Sequence, residues 1–230
     1  MNRHPAARTR PPGTTAIAET ADGPWLIEGP APPRHARPRD AGPGLPAAVL
    51  FDRDATLVVD VPYNGDPARV RLMPGAREAV DAVRAAGVPV GVVSNQSGVA
   101  RGLLSRAQVD AVRRRVEELL GPFSVWAICP HGPGDGCRCR KPEPGLVLAA
   151  CARLGVPAAH TVVIGDIGAD VDAARAAGAR GVLVPTPVTR AEETVAADAV
   201  APDLLTAVGL ALGGGTARPL GVPPGEGERR

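Results

Sequence analysis

Nearly continuous apolar runs recur along the middle of the chain, at Ala48–Phe51 and at residues 88–93, 125–128, 161–164 and 181–184. Each is short enough to be a strand buried on both faces. The stretches between them change period. Ala76, Ala79, Val80 and Val83 share one helical face after Pro74-Gly75, and Gly87 closes that helix. Ser105 and Gln108 have the spacing of a capping box ahead of a buried stripe of Val109, Val112, Val116 and Leu120. Further helices are expected over about residues 145–154, over a short stretch ending at Ala177, and over about 203–212. Strand and helix in alternation predict an α/β fold with a doubly wound, Rossmann-like parallel sheet covered on both faces.

The intervals between these elements are short. Asp52 to Ser94 is 42 positions and Ser94 to Lys141 is 47, and both are used up by the elements named above and their loops. No large cap domain fits, so a site at the strand ends is expected to be open, with selectivity assigned to the loops over residues 58–70, 98–104 and 129–140. Residues 1–46 hold ten of the 26 prolines with scattered Arg and Gly and no sustained apolar period. A disordered Pro- and Arg-rich extension is expected there, a single domain over 47–212, and a disordered tail over 213–230. Within the extension, Trp25-Leu26-Ile27 reads as a chance apolar triplet in preference to a docking segment.

Composition narrows the class. At 230 residues, 44% hydrophobic and a net charge of +2, the chain suits a soluble domain with a core made mainly of Val, Leu and Ala, since aromatics are 2%. The chain has no basic stripe and no stacking aromatics, which argues against nucleic acid as its partner. Neither a signal-peptide core nor a run of about 20 apolar residues appears, so a cytoplasmic protein away from membranes is expected, taken as a monomer.

The polar residues at the ends of the apolar runs carry the chemistry. Asp52 and Asp54 follow the first run, and two close carboxylates repel unless a cation lies between them. A turn or helix cap is the plainer reading of the same residues. Of 26 basic residues 25 are arginine, and the single lysine is Lys141. An isolated lysine suggests a place for a compact ammonium where a planar fork would not fit, although one lysine has to fall somewhere. Cys129, His131, Cys137 and Cys139 offer three thiols and an imidazole, a full tetrahedral set for a structural Zn2+. Disulfides are the alternative, disfavoured by a cytoplasmic setting and by the closeness of Cys137 to Cys139. Cys151 lies on the apolar face of its helix and reads as core.

Asp52-Arg53-Asp54-Ala55-Thr56, Ser94-Asn95-Gln96-Ser97-Gly98, Arg140-Lys141-Pro142 and Val162-Val163-Ile164-Gly165-Asp166 with Asp170 occur in that order. Together they resemble the four motifs of the haloacid dehalogenase superfamily of phosphohydrolases over about residues 47–190. Val99-Ala100-Arg101-Gly102 and Cys129-Pro130-His131 are similar to the subgroup of D-glycero-D-manno-heptose 1,7-bisphosphate and histidinol-phosphate phosphatases. The resemblance implies Asp52 as nucleophile, Asp54 as acid and base, and Mg2+ on Asp52, the Asp54 carbonyl and Asp166. It further implies that Ser94, Asn95, Gln96 and Lys141 surround the phosphoryl group and that Zn2+ sits on the Cys-His-Cys-Cys loop. Asp170 is expected to orient Lys141 or a metal-bound water, or to be a simple first-turn acid of its helix. Arg101 and Arg140 are candidates for a distal phosphate, because Arg forks suit phosphate oxygens. The expected activity is removal of the 7-phosphate from a heptose 1,7-bisphosphate, with histidinol phosphate as the alternative substrate. The motif departs from the family at Ala55, where glycine is usual. If that position needs a positive φ the methyl group is strained, and the other reading is a weakened, zinc-stabilised binding module.

Overall fold

The computed structural model of the chain describes residues 23–29 and 44–213. Strand β1 (Trp25–Glu28) is followed by β2 (Ala48–Phe51), helix α1 (Ala76–Ala85), β3 (Val90–Asn95), α2 (Arg106–Leu120) and β4 (Val125–Cys129). Then come α3 (Gly145–Leu154), β5 (Thr161–Gly165), α4 (Gly168–Ala176), β6 (Arg180–Leu183), α5 (Ala191–Ala196) and α6 (Leu204–Ala211). The strands form one sheet in the order β1-β4-β3-β2-β5-β6, parallel except for β1.

Side chains alternate across the pleat and so sort the core into two layers. Val49, Phe51, Val92, Trp126 and Ile164 face α1, α2 and α6, whereas Leu50, Val93, Ala127 and Val163 face α3 and α4. Full burial of side chains such as Leu50 and Phe51 contributes about 1.5–3 kcal/mol each. The expected caps are present. Ser105 and Gln108 form the reciprocal capping box of α2, and Gly75 and Gly87 flank α1 with φ of 75° and 72°. Helix α5 was not expected from the sequence; its six residues have no buried side chain and hence no apolar stripe.

Trp25, Leu26 and Ile27 are not a chance triplet. They form an edge strand paired antiparallel to β4, with Trp25 opposite Ile128 and Glu28 opposite Val125. Ile27 enters the core, the Arg106 guanidinium lies 4.8 Å from the centre of the Trp25 ring, and Glu28 pairs with Arg153. Gly29 is required where the strand ends, because a Cβ there would overlap the Phe123 carbonyl oxygen. The expected extension over 1–46 is therefore interrupted by structure at 25–28; most of it, and the tail beyond Gly213, lies outside the described residues.

The order of the parallel strands reverses between β2 and β5. Their carboxyl ends, with that of β3 beside them, form the crevice in which ligands of open α/β sheets bind. Phe51 leads into Asp52 and Gly165 into Asp166, so both aspartates sit there. A loop with a 3-10 turn at Pro67–Arg69 fills the interval from β2 to α1, and no cap domain is inserted. Among the described residues no helix is long and apolar enough to cross a membrane.

Candidate active site

A buried cluster forms where the strand ends meet. Lys141 Nζ donates to Asp52 Oδ1 at 2.5 Å, to Asp170 Oδ1 at 2.5 Å and to the Val93 carbonyl at 2.9 Å. Three acceptors converge on one nitrogen with three protons, a geometry that an ammonium satisfies and a planar guanidinium does not. That accounts for lysine here in a chain otherwise supplied with arginine. The two carboxylates outweigh the cost of burying the ammonium and hold its pKa above the ordinary lysine value. Asp170 does both things expected of it: Oδ1 takes Lys141, and Oδ2 accepts the Ile167 amide at the start of α4. Gly165 makes room, since a Cβ there would lie 2.3 Å from the Asp170 carboxyl.

Asp52 and Asp166 are 8% and 5% exposed. Burial, opposed by Lys141 and reinforced by Asp170, Asp54 and Asp166, pushes the Asp52 carboxyl up to about 8. Burial and Asp170 push Asp166 up to about 7 against a hydrogen bond from Thr56. Thr189 donates to the Asp166 carbonyl at 2.7 Å and ties the β6–α5 loop to the site. Oxygens of Asp52, Asp166 and Asp170 lie within 4.8 Å of one another. With all three carboxylates ionised and Lys141 protonated, the cluster is two positive charges short of neutrality. A divalent cation with hard oxygen preference matches that deficit and that donor set.

Asp54 is part-exposed at the cavity wall. It accepts from Arg53 Nε at 3.0 Å, Arg53 Nη2 at 2.7 Å and Gln96 Nε2 at 3.0 Å. Ala55 has φ of 57°, the left-handed conformation that favours glycine, yet Asp54 keeps these bonds. The cavity, about 390 Å³, is lined by Asp52, Asp54, Gln96, Lys141 and Asp166, with Tyr63 among its loop residues. A neighbouring cavity of about 410 Å³ shares Lys141 and adds Arg138 and Arg140.

Beside that second cavity the four predicted ligands meet. Cys129 Sγ is 3.2 Å from Cys139 Sγ and 3.8 Å from Cys137 Sγ, and His131 Nδ1 is 3.2 Å from Cys139 Sγ and 3.5 Å from Cys129 Sγ. Tetrahedral zinc with sulfur at about 2.3 Å requires sulfur separations of roughly 3.8 Å, so the set needs little adjustment. All four cysteines are free thiols. The hydrogen bond from Cys139 holds the Cys129 thiol down at about 5, and Cys139 itself is pushed up.

A family model described as HAD-hyrolase-like matches residues 138–207. D-glycero-beta-D-manno-heptose-1,7-bisphosphate 7-phosphatase of Mesorhizobium japonicum is 42% identical over 154 residues, 62% of this chain and 70% of that protein. The chain belongs to that haloacid dehalogenase-like phosphatase family. The Pseudomonas aeruginosa enzyme of the same name is 40% identical over 143 residues, 60% of this chain and 80% of its own. The crystal structure of D,D-heptose 1,7-bisphosphate phosphatase from B. bronchiseptica, complexed with magnesium and phosphate, superposes with a TM-score of 0.64 at 30% identity, covering 71% of this chain and 97% of that one.

Among the other candidate residues of this phosphatase, Asn95 and Arg101 sit differently from expectation. Asn95 turns its side chain to the main chain of Lys141, donating to the carbonyl and accepting from the amide, both at 3.1 Å. Ser94 lies beneath Gln96, whose amide donates to its hydroxyl oxygen at 2.9 Å. Arg101 is outside both cavities; it donates to the Tyr63 hydroxyl at 2.6 Å, with its guanidinium 5.6 Å from the ring centre. Arg140 donates to the His131 carbonyl at 3.4 Å, bonded to the cysteine loop as the covalent order suggested. Thr56, Tyr63 and Thr189 were missed. Thr56 was legible in principle as the last polar residue of the first motif, but Thr189 carries no local signal.

Proposed function

We propose that this phosphatase removes the 7-phosphate of a D-glycero-D-manno-heptose 1,7-bisphosphate through an aspartyl-phosphate on Asp52. The observation that carries this is the buried Asp52–Lys141–Asp170–Asp166 cluster, two positive charges short once its carboxylates are ionised and joined through Lys141 to a second cavity that holds two arginines. Mg2+ would be held by the Asp52 carboxylate, the Asp54 carbonyl and Asp166, where it offsets phosphoryl and carboxylate charge. Asp52 is the nucleophile. Its oxygen attacks phosphorus while the ester P–O bond breaks, and Asp54 gives the leaving oxygen its proton. Asp54 then takes a proton from water, whose oxygen attacks phosphorus and frees phosphate and the Asp52 carboxylate.

Lys141 bears on the reacting phosphoryl group, and Asp170 holds its ammonium in place. Ser94, whose oxygen is used by Gln96, has its hydroxyl proton to offer a phosphoryl oxygen, and Asn95 contributes by fixing the Lys141 main chain. The distal phosphate is assigned to Arg140. Arg101 reaches the substrate through Tyr63, which lines the cavity. The cysteine loop is assigned a structural Zn2+, and a cytoplasmic setting keeps its thiols available.

Steady-state kinetics of wild type, Asp52→Asn and Arg140→Ala on heptose 1,7-bisphosphate, heptose 7-phosphate and histidinol phosphate, with Mg2+ and after chelation, test the reading. A charged hydrogen bond to the distal group is worth about 1.5–3 kcal/mol, so the bisphosphate is expected to exceed the monophosphates by roughly 10- to 150-fold in kcat/KM. Arg140→Ala should remove most of that preference, and Asp52→Asn all turnover. Histidinol phosphate as the best substrate, or equal losses on all three esters, overturns the substrate assignment.

A further inference from the structure

Between the two aspartates of the first motif stands a residue that the reaction just described leaves unused. Arg53 is 4% exposed, and its guanidinium meets Asp54 fork to fork through Nε and Nη2. Neighbouring side chains in an extended strand point to opposite sides, and this pair meets because the chain bends at Arg53. The main chain anchors the same residue, whose carbonyl accepts from the amides of Leu57 at 2.9 Å and Val58 at 3.0 Å. The turn that carries Asp54 is thus built on Arg53. Gln96 completes the set on Oδ2, so the Asp54 carboxylate is held by two side chains while it remains 28% exposed at the cavity wall.

We propose that Arg53 is the positioning residue for Asp54, and this rests on the acid–base role proposed for that aspartate above. A free aspartate turns about two torsions, and a bidentate charged pair removes both freedoms. One carboxyl oxygen must face the bridging ester oxygen in the first step and the attacking water in the second. Misplacement by about 1 Å costs on the order of 100-fold in rate. Lysine at position 53 would supply the charge but no plane, so it cannot set the orientation.

The test uses the full chain with Mg2+, as wild type, Arg53→Met, Arg53→Lys, Asp54→Asn and the Arg53→Met/Asp54→Asn double variant, each checked for folding by thermal melting. On the best sugar phosphate, both Arg53 variants are expected to lose on the order of 100-fold in kcat with KM changed little. On p-nitrophenyl phosphate, whose leaving group needs no proton, the first turnover should stay fast and the second step slow. Rapid mixing should then show a burst of p-nitrophenolate close to the enzyme concentration before a slow steady state. The double variant should be no slower than Asp54→Asn, because a residue acting through Asp54 has nothing left to position. Loss of the burst together with turnover in a folded variant, recovery of wild-type kcat by Arg53→Lys, or additive losses in the double variant overturns the inference. Normal turnover by Asp54→Asn alone instead removes the acid–base reading beneath it. If Arg53→Met does not fold, the same burst and double-variant comparisons are made with Arg53→Lys.

Discussion

Binding of Mg2+ to this protein should release protons, and the release should grow as the pH falls. Without metal, burial holds the Asp52 carboxyl up to about 8 and the Asp166 carboxyl up to about 7. At pH 7 the metal-free protein therefore keeps proton on both carboxyls, more on Asp52 than on Asp166. Both oxygens must be free to hold a hard cation. The expected release is therefore on the order of one proton at pH 7, approaching two at pH 5.5 and falling toward zero at pH 9, and the apparent affinity should climb with pH over the same range. Stability has the matching sign. Both carboxyls have folded values above their ordinary 3.8, so the metal-free protein is penalised progressively as pH rises from about 4 through about 8. Lys141 works the other way: its raised value contributes stability that is complete below its ordinary 10.5 and lost only at higher pH. Added Mg2+ should consequently raise the melting temperature more at pH 8 than at pH 5.5. Titration calorimetry at pH 7 in two buffers of different ionisation enthalpy counts the protons directly. Net release near zero at pH 7, or an affinity indifferent to pH from 5.5 to 8, refutes the charge deficit as the basis of cation binding.

Replacing Ala55 by glycine should relieve about 1–2 kcal/mol of left-handed strain and lose about 0.4–1 kcal/mol to the freer unfolded chain, a net gain of about 0 to 1.5 kcal/mol readable in a urea midpoint. Turnover should change by a few-fold at most, because Arg53 and Gln96 already hold Asp54; a rise of 100-fold would mean that the methyl group does misplace it. Cys137→Ser should lower the zinc content per chain by elemental analysis and the melting temperature with it, while the Mg2+ requirement persists; unchanged zinc would exclude Cys137 as a ligand.

Much of the site was legible because each motif follows a buried strand, so local periodicity located Asp52, Ser94, Cys129 and Asp166 together at one sheet end. Lys141 stood out by composition as well as by its place in the third motif. What the sequence hid was pairing at a distance. Strand β1 has four residues, too few to establish an alternation, and its partner β4 lies about a hundred residues on. Arg101 carried the right charge for a phosphate, but an aromatic hydroxyl 38 positions away takes its guanidinium. Asn95 and Thr189 follow the same rule: each secures another site residue across the fold, and no spacing along the chain announces that.

The solitary lysine has a consequence for solution chemistry. Surface amines normally report on everything at once, since most proteins scatter them over the exterior. Here the only side-chain amine in 230 residues is protonated, gripped by two carboxylates and sealed from solvent. An acylating reagent at neutral pH can reach it only when the sheet ends part. Covalent labelling at Lys141, separated from the chain's terminal amine by peptide mass, is therefore a clock for opening of the molecule, slowed by whatever binds between the strands.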